Sequence, residues 1–559
     1  MRVLSFIDTH DSSVCVINNG IVEFFCKEER LSRNKRDMIP ILALETYKKL
    51  NKGPIDYALY NTPTDPGSFN LYSKIIKKYW NIPLINNSHL QHHKSHASLA
   101  FYNSGFEECL VFVIDRHGSI FFDRRIHNHG LCREAESIFM CSGISDIIPL
   151  YKSLYLLNEL DYLKEDINTA TSKYFNCKTD VKSPNSIVGV YEAATTMIGQ
   201  PALDNGKTMG LASYGENIRY SALFNDDGTP IDNYFSTFYN DILKEDATIF
   251  SEFKELRTLS LTEHNFQFYA NLAKQVQQET QEVILRLIKQ QVEETGIHNV
   301  CIVGGYGLNV VANNYFTKNL PTVNFYFEPV ADDTGISTGA ALYRSAQITG
   351  IKPEPIKDTF YHFYEPEEIG YGQISLSVED ICDLLIEGKS VAIFEGQPEA
   401  GPRALGHRSI LFNPMFKNGK DVVNQIKKRE WYRPFAGVIL EEFFSEYFHT
   451  VGLKNSPNMT LSFDCKEKTM QIAPAVVHID NTCRVQTVRD GFLYTLITAF
   501  YKRTKCPILL NTSLNLAGEP LIQTKKEARY LLQNSSLDAL YYVDEGMGLL
   551  KSVYNKHID

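Results

Sequence analysis

Runs of apolar residues set the first elements of the chain. "RVLSFID" (2–8) and "SVCVI" (13–17) read as strands, and "IVEFFCKEE" (21–29) follows a turn at Asn18, Asn19 and Gly20. "CLVFVID" (109–115) is a buried-type strand that ends in Asp115, with Gly118 just beyond it. "VCIVGG" (300–305) is another, running into glycines and a helix expected from Leu308. Residues 265–294 keep a helical period and are closed by Gly296. Strands alternating with helices predict an α/β architecture. "TGIKPEPIKDTF" (349–360) carries two prolines after the helical "STGAALYRSA" (337–346), which marks a linker. Beyond it the grammar restarts, with a helix near 378–387 and strands "SVAIFEG" (390–396) and "CPILLN" (506–511). A boundary near 350–358 gives domains of residues 1–352 and 353–559.

Composition narrows the class. A chain of 559 residues exceeds one ordinary hydrophobic core, so two or three domains are expected. It is 43% hydrophobic and 22% charged, as soluble globular proteins are. A net charge of −10 disfavours a general nucleic-acid binder, which carries a basic face, but it allows a local basic pocket for a phosphorylated substrate. The 11 cysteines are odd in number and form no CxxC pair, which points to reduced thiols rather than a disulfide framework or a zinc finger. Asp8 and His10 interrupt the start too early for a secretory signal, and no apolar run nears the ~20 residues of a membrane span. A cytoplasmic protein without a membrane segment is expected.

Three constellations could carry chemistry. "HLQHHKSHAS" (89–98) places His92 and His96 at i and i+4, one helix face, where both imidazoles could reach one ion. A solvated polar helix is the alternative, and His93 points elsewhere. Asp115 at a strand end and Asp333 in "ADDTGISTGAAL" are the candidate carboxylates. Two histidines with two carboxylates suit iron, manganese or zinc. "KTMGLASYG" (207–215) and "GGYGLN" (304–309) are expected loops where backbone could approach a nucleotide, or glycines that allow tight strand-to-helix packing. In the C-terminal half, Arg403 and Arg408 sit in "EGQPEAGPRALGHRSIL" (395–411). Lys427, Lys428, Arg429 and Arg433 lie in "NQIKKREWYRPFAG" (424–437), and His478 and Arg484 in "VVHIDNTCRVQTV" (476–488). Asn511, Ser513 and Asn515, in "LLNTSLNLAGEP" (509–520), are expected just past a strand. Such a set would cradle a phosphorylated reactant, because guanidinium groups pair bidentately with phosphate.

The whole chain resembles the O-carbamoyltransferases of nodulation-factor and of aminoglycoside- and cephalosporin-antibiotic type. The segments that carry the resemblance are "THDSS" (9–13), "KEERLSRNK" (27–35), "HHKSHAS" (92–98), "GLASYG" (210–215), "GGYGLN" (304–309) and "DTGISTGAAL" (333–342). "GPRALGHRSIL" (401–411), "REWYRPFAG" (429–437), "HIDNTCRVQTV" (478–488) and "NTSLNLAGEP" (511–520) complete the set, in the family's order. The resemblance implies an actin-like (ASKHA) N-terminal domain, similar to the tRNA threonylcarbamoyl-transferase catalytic subunit, and a YrdC-like α/β C-terminal domain. It implies that carbamoyl phosphate and ATP, with Mg2+, give carbamoyl-adenylate in the second domain. The carbamoyl group then passes to a hydroxyl of a small-molecule or nucleotide acceptor in the first. Homodimers are common in the family.

The implied roles fall on matching positions. His92, His96, Asp115 and Asp333 match metal ligands, with iron(II) (Fe2+) the usual ion, and His10 matches a residue near the acceptor hydroxyl and is the candidate general base. Lys207, Gly210, Gly304, Gly305 and Asn309 match nucleotide-binding loops. Arg403, Lys427, Arg433, Arg484, Asn511 and Ser513 match the carbamoyl phosphate and ATP pocket. Four positions depart from the pattern: Gln397 stands where Arg is common, Leu514 where Phe is usual, and Arg116 and His117 where small residues follow the aspartate. Competing readings are a tRNA-modifying threonylcarbamoyl transferase, a hydrogenase-maturation carbamoyltransferase and a non-catalytic ATP-binding sensor. The fused domains and the negative charge weigh against the first, the lack of CxxC pairs against the second, and retention of every proposed ligand against the third. Residues 130–185 carry little pattern and are the expected acceptor region.

Overall fold

In the computed structural model the described residues are 1–61, 66–86, 92–123, 130–157, 164–182, 185–220, 222–231, 265–368 and 372–554. They divide into two compact units. The first comprises Met1–Thr9, Ser13–Glu23 and Tyr47–Ile356, and the second comprises His10–Ser12, Phe24–Thr46 and the chain from Lys357 onward. Among the described residues no helix is long and apolar enough to cross a membrane.

The first unit holds two sheets. Strands β1 (Arg2–Ile7), β2 (Ser13–Asn18), β3 (Ile21–Lys27), β4 (Tyr57–Tyr60) and β5 (Leu84–Asn86) lie in the order β3-β2-β1-β4-β5. β1 pairs antiparallel with β2 and parallel with β4. Asn19 and Gly20 make the turn into β3 with φ of 49° and 84°, the left-handed values that a tight hairpin requires. Val3, Leu4, Phe6 and Ile7 of β1 and Val14 to Ile17 of β2 are all fully buried. A sheet covered on both faces explains why these strands read as unbroken apolar runs.

The second sheet contains β6 (Glu108–Ile114), β7 (Ile120–Asp123), β8 (Gly130–Ser142), β9 (Asp146–Leu156), β10 (Lys178–Lys182), β11 (Asn299–Val303) and β12 (Asn324–Phe327). Its order is β10-β9-β8-β6-β11-β12, with β7 beside β8. β6 and β11 are parallel neighbours, with Val113 opposite Val303. Asp115 and Gly304 therefore leave the sheet side by side, at the strand ends where α/β folds gather ligand-binding groups.

Helix packing against this frame is unusually close at one place. The helix His92–Ser104 packs on the helix Ile336–Thr349. A Cβ at Gly339 would lie 2.0 Å from the carbonyl oxygen of Ser95, and one at Gly335 would lie 2.3 Å from that of Val330. Backbone meets backbone there, and a side chain has no room. The long helix Phe266–Thr295 ends at Gly296, φ 72°, as its spacing predicts. Two expectations change. Residues 207–215 are not a loop throughout, because Asn205–Ala212 is a helix packed on Phe266–Thr295. Burial of Thr208, Gly210, Leu211 and Ala212 outweighs the poor helix propensity of the glycine. The helix expected from Leu308 begins as a 3-10 turn, Gly305–Leu308, and becomes α-helical at Val310–Asn319.

A buried ion pair crosses β8 and β9. The Lys152 ammonium donates to the Glu134 carboxylate and, at 3.2 Å, to the Ser137 hydroxyl. Glu134 also accepts from the Ser119 backbone N–H at 2.9 Å. Burial alone would raise the Glu134 carboxyl, but Lys152 and His93 hold it down at about 2.

The second unit is one mixed sheet with helices packed on it. Its strands are β13 (Ile374–Ser375), β14 (Val391–Phe394), β15 (Arg408–Phe412), β16 (Ala436–Leu440) and β17 (Phe448–His449), then β18 (Ser462–Cys465), β19 (Thr482–Val488), β20 (Ile508–Ser513), β21 (Ala539–Tyr542) and β22 (Met547–Leu550). They run in the order β13-β22-β21-β14-β15-β20-β16-β19-β18-β17. Phe394, Ile410, Leu514, Leu532 and Leu540 belong to its apolar core. The early segment Phe24–Thr46 is built into this unit. Arg30 donates to the Glu399 carbonyl at 3.1 Å, and Arg33 donates to the carbonyls of Leu521 and Pro520 at 2.8 and 3.0 Å.

Two stability measurements follow from this packing. Gly339→Ala should lower the unfolding free energy, measured by denaturant titration, by about 1–3 kcal/mol or more, the usual cost of overpacking, because the contact is backbone rather than a movable side chain. Glu134→Gln should cost about 3–5 kcal/mol at neutral pH by leaving Lys152 buried and unpaired. Glu134 titrates below its ordinary 4.5, so the contribution of its charge is complete above that value and is lost as pH falls towards about 2. The difference between the native chain and the variant should therefore shrink over that acid range.

Candidate functional site

The first unit brings His92, His96, Asp115 and Asp333 together, and each is buried. One candidate donor atom from each lies within 4.8 Å of all the others. The histidines come from the first two turns of His92–Ser104, Asp115 from the end of β6, and Asp333 from the turn that leads into Ile336–Thr349. The close approach at Gly335 and Gly339 sets the histidine helix against the carrier of Asp333.

Each carboxylate has one oxygen occupied by the protein and one turned inward. Asp115 Oδ1 accepts from the Gly305 backbone N–H at 3.2 Å, while Oδ2 lies 3.2 Å from His92 Nε2 and 3.6 Å from His96 Nε2. Asp333 Oδ2 accepts from the Thr9 hydroxyl at 3.2 Å, while Oδ1 lies 3.6 Å from His92 Nε2 and 3.5 Å from His96 Nε2. His96 Nε2 is buried without a hydrogen-bond partner, so its distances to both carboxylates are too long for good bonds. Separations of this size are those of atoms sharing one ion at about 2.0–2.2 Å. The donor set and the spacing fit a divalent metal. Burial would lower His96, but the two carboxylates override it and raise it to about 9. Burial would raise Asp115, but His92 and His96 hold it well below the usual range.

The support beneath these four residues is not visible in any motif. Ser119 Oγ accepts from the His92 backbone N–H at 3.3 Å, and the Ser119 N–H donates to Glu134. His93 points away from the cluster, its Nδ1 2.7 Å from Ser137 Oγ, and burial pushes it down to about 3. Gly118 has no room for a side chain, since a Cβ there would lie 2.6 Å from the Glu134 side chain and 2.7 Å from His93 Nε2. Glu134 and Lys152 fall in the unpatterned 130–185 segment, of which 158–163 and 183–184 lie outside the described residues.

Other candidates of the first half occupy distinct positions. Gly304, with φ 89°, takes the close approach to β6, where a Cβ would lie 2.5 Å from the Ile114 carbonyl oxygen. Asn309 caps Val310–Asn319 by accepting from Ala312 N–H at 3.1 Å, and its amide donates to Gln277 at 2.9 Å. Lys207 donates to Gln200 and pairs with Asp204, each at 3.0 Å, and Gly210 is buried in its helix. His10 groups with the second unit, with its ring Nδ1 3.8 Å from Asp11. Burial would raise Asp11, but Lys27, ahead of His10, pulls it far below the carboxylate range.

The second unit gathers its basic candidates around β19 and β20. The buried Lys427 ammonium donates to the Ser513 carbonyl, to Ser513 Oγ at 3.0 Å and to Asn515 Oδ1 at 2.6 Å. Burial, then the charges of Arg429, Arg433 and Lys35, lower it well below an ordinary lysine. Arg484 is lowered by burial, then by Arg403 and Arg429, with a smaller effect of Arg433. Arg429 lies 4.0 Å over the Phe435 ring and donates to Asn424 at 2.6 Å. Like charges held this closely are stabilised by an anion among them. Asn511 spends its amide on Ala404 and Gln486, at 3.2 and 2.9 Å. Gln397, in place of the common arginine, is exposed, and its carbonyl lies 2.6 Å from His407 Nδ1.

The carbamoyltransferase N-terminus model matches residues 68–342, and the carbamoyltransferase C-terminus model matches residues 382–546. Nodulation protein NolNO of Sinorhizobium fredii is 26% identical, over 95% of this chain and 78% of its own. Nodulation protein NolO of Bradyrhizobium diazoefficiens is 28% identical, over 81% of this chain and 77% of its own. The uncharacterized protein MJ1051 of Methanocaldococcus jannaschii is 26% identical, over 96% and 98%. Among solved structures, full-length HypF in its phosphate- and nucleotide-bound form is similar with a TM-score of 0.38 and 14% identity, and this chain spans about half of it, 47%. With both halves matched in order across most of its length, the chain belongs to the carbamoyltransferase family and is a transferase enzyme.

Proposed function

We propose that the chain is an ATP-dependent O-carbamoyltransferase that works through carbamoyl-adenylate. One observation supports this most directly: a carbamoyltransferase-family chain carries both a buried four-donor cluster in its first unit and a cluster of buried cations in its second. In this reading the first unit is the actin-like transfer domain and the second is the YrdC-like adenylate-forming domain.

Each cluster answers a chemical need. Water splits carbamoyl phosphate into carbamate and phosphate; the carbamate, a poor electrophile, attacks the α-phosphorus of ATP, pyrophosphate leaves, and the AMP joined to it becomes a good leaving group. Bringing carbamoyl phosphate and ATP together concentrates negative charge, which Arg403, Lys427, Arg433 and Arg484 offset with Mg2+. Ser513 borders Lys427, and Asn511 bonds to the carbonyl of Ala404, next to Arg403. In the second reaction an acceptor hydroxyl attacks the carbamoyl carbon, the new C–O bond forms, and AMP leaves with the electrons of the broken bond. His10 takes the hydroxyl proton, a contribution of typically ~10²–10⁴-fold. Lys207, Gly210, Gly304, Gly305 and Asn309 border the nucleotide in the first unit. His92, His96, Asp115 and Asp333 would hold iron(II) or another divalent ion. When bound, such an ion supplies Lewis-acid polarisation of the carbamoyl oxygen or a hold on the phosphate.

Two measurements test the reading. Mass spectrometry with ATP, Mg2+, Fe2+, carbamoyl phosphate and a panel of sugars, hydroxymethyl nucleosides and nucleotides should show one acceptor gaining a carbamoyl group as AMP appears. Failure of folded, metal-loaded protein to form any carbamoylated product or to release AMP would refute it. His92→Ala should lose bound metal, measured by elemental analysis, and lose carbamoyl transfer, yet still release pyrophosphate from ATP and carbamoyl phosphate. Unchanged metal content would remove His92 from the ligand set.

A further inference from the structure

Arg403 stands in a glycine- and proline-rich loop that no helix or strand holds, yet it belongs with the packed cations around Arg484. Something must fix that loop, and the structure shows what does. The Glu399 side chain is fully buried. Its Oε1 accepts from the backbone N–H groups of Leu405 at 2.7 Å, His407 at 3.1 Å and Arg408 at 3.4 Å. One carboxylate oxygen thus closes the loop on itself and satisfies donors that would otherwise be buried and unpaired. The opposite side of the loop is held through its carbonyls. Gln486 donates to the Leu405 carbonyl at 2.7 Å, and Asn511 donates to that of Ala404 at 3.2 Å. The two amides bond to each other at 2.9 Å. Donors and acceptors of residues 404–408 are therefore claimed from both sides, and Arg403 projects from a backbone with little freedom.

The charge of Glu399 has a second consequence. Arg30 and Arg408 are both buried, and the Glu399 carboxylate opposes the effect of burial on Arg408 and, with Glu29, on Arg30. Arg408 spends its guanidinium on the carbonyls of Glu395, Gly396 and His407, behind the loop. The carboxylate opposes the charge of cations that serve the scaffold, whereas Arg484 faces the like charges of Arg403, Arg429 and Arg433.

We infer that Glu399, seconded by Gln486, is the positioning residue of the Arg403 loop, and that it sets the affinity of the second unit for a phosphate-bearing substrate without touching that substrate. The inference rests on the reading of the Arg403–Arg484 cations as the phosphate site. A site group displaced by about 1 Å can lose on the order of a hundredfold, so the effect is large enough to measure.

The test is a double-mutant cycle on the full chain, with inorganic phosphate as the calorimetric probe and circular dichroism to verify folding. Arg403→Ala and Glu399→Gln should each weaken phosphate binding by about ten- to a hundredfold. Combined, they should be no weaker than Arg403→Ala alone, since a loop without its arginine has nothing to position. Additive losses, or a folded Glu399→Gln chain that binds like the native protein, would overturn the inference and leave the site reading intact. Native-like binding by Arg403→Ala would overturn the site reading itself. Should Glu399→Gln not fold, Gln486→Leu enters the same cycle, and additivity with Arg403→Ala there also overturns the inference.

Discussion

Backbone-to-backbone contact between two helices governs the first unit. The carbonyl of Ser95 lies where any side chain at position 339 would begin, and Gly335 is equally confined against Val330. The contact fixes the distance between the helix that carries His92 and His96 and the turn that carries Asp333. A looser interface would leave four titratable groups buried with neither an ion nor one another to face, which is costly in a dry interior. The parallel pair β6 and β11 completes the arrangement. It brings Asp115 beside Gly304 and Gly305, and the Gly305 N–H then occupies one carboxylate oxygen.

The second unit meets the same problem of buried charge with a different division of labour. Arg408 is buried and saturated by carbonyls, stacked 3.5 Å from the Phe394 ring centre. Lys427 is tied to the end of β20 through Ser513 and Asn515. Arg429 lies against Phe435, and Arg484 shares its field with Arg403 and Arg433. Arg408 and Lys427 hold the fold, whereas Arg484 faces like charges, and the distinction follows from which carbonyls and carboxylates lie within reach.

What was legible in the sequence was local. The spacing of His92 and His96 follows from helix geometry, and Asp115 ends a run of apolar residues that could only be a buried strand. The hairpin at Asn19–Gly20 and the helix stop at Gly296 follow from left-handed backbone that glycine and asparagine tolerate. What was not legible depends on distant partners. Thr9 meets Asp333 across 324 residues, and Arg30 meets the Glu399 carbonyl across 369. Glu134 and Lys152 belong to no motif, and only the pairing of β8 with β9 makes them neighbours. Residues 207–212 resemble a glycine loop until the long helix Phe266–Thr295 gives them a surface to bury.

The path of the chain has a consequence for how the protein can be divided or inherited. Phe24–Thr46 is threaded into the second unit, although the residues on both sides of it belong to the first. A protease cut in the proline-bearing linker would not release an intact C-terminal half. It would strip that half of Arg30 and Arg33, and so uncap the carbonyls of Glu399, Pro520 and Leu521. Swapping the gene's C-terminal half for that of a relative at that same linker would pair that half with a foreign insert. The two halves are thus a single unit of exchange, and recombination must carry the first fifty or so codons together with the last two hundred.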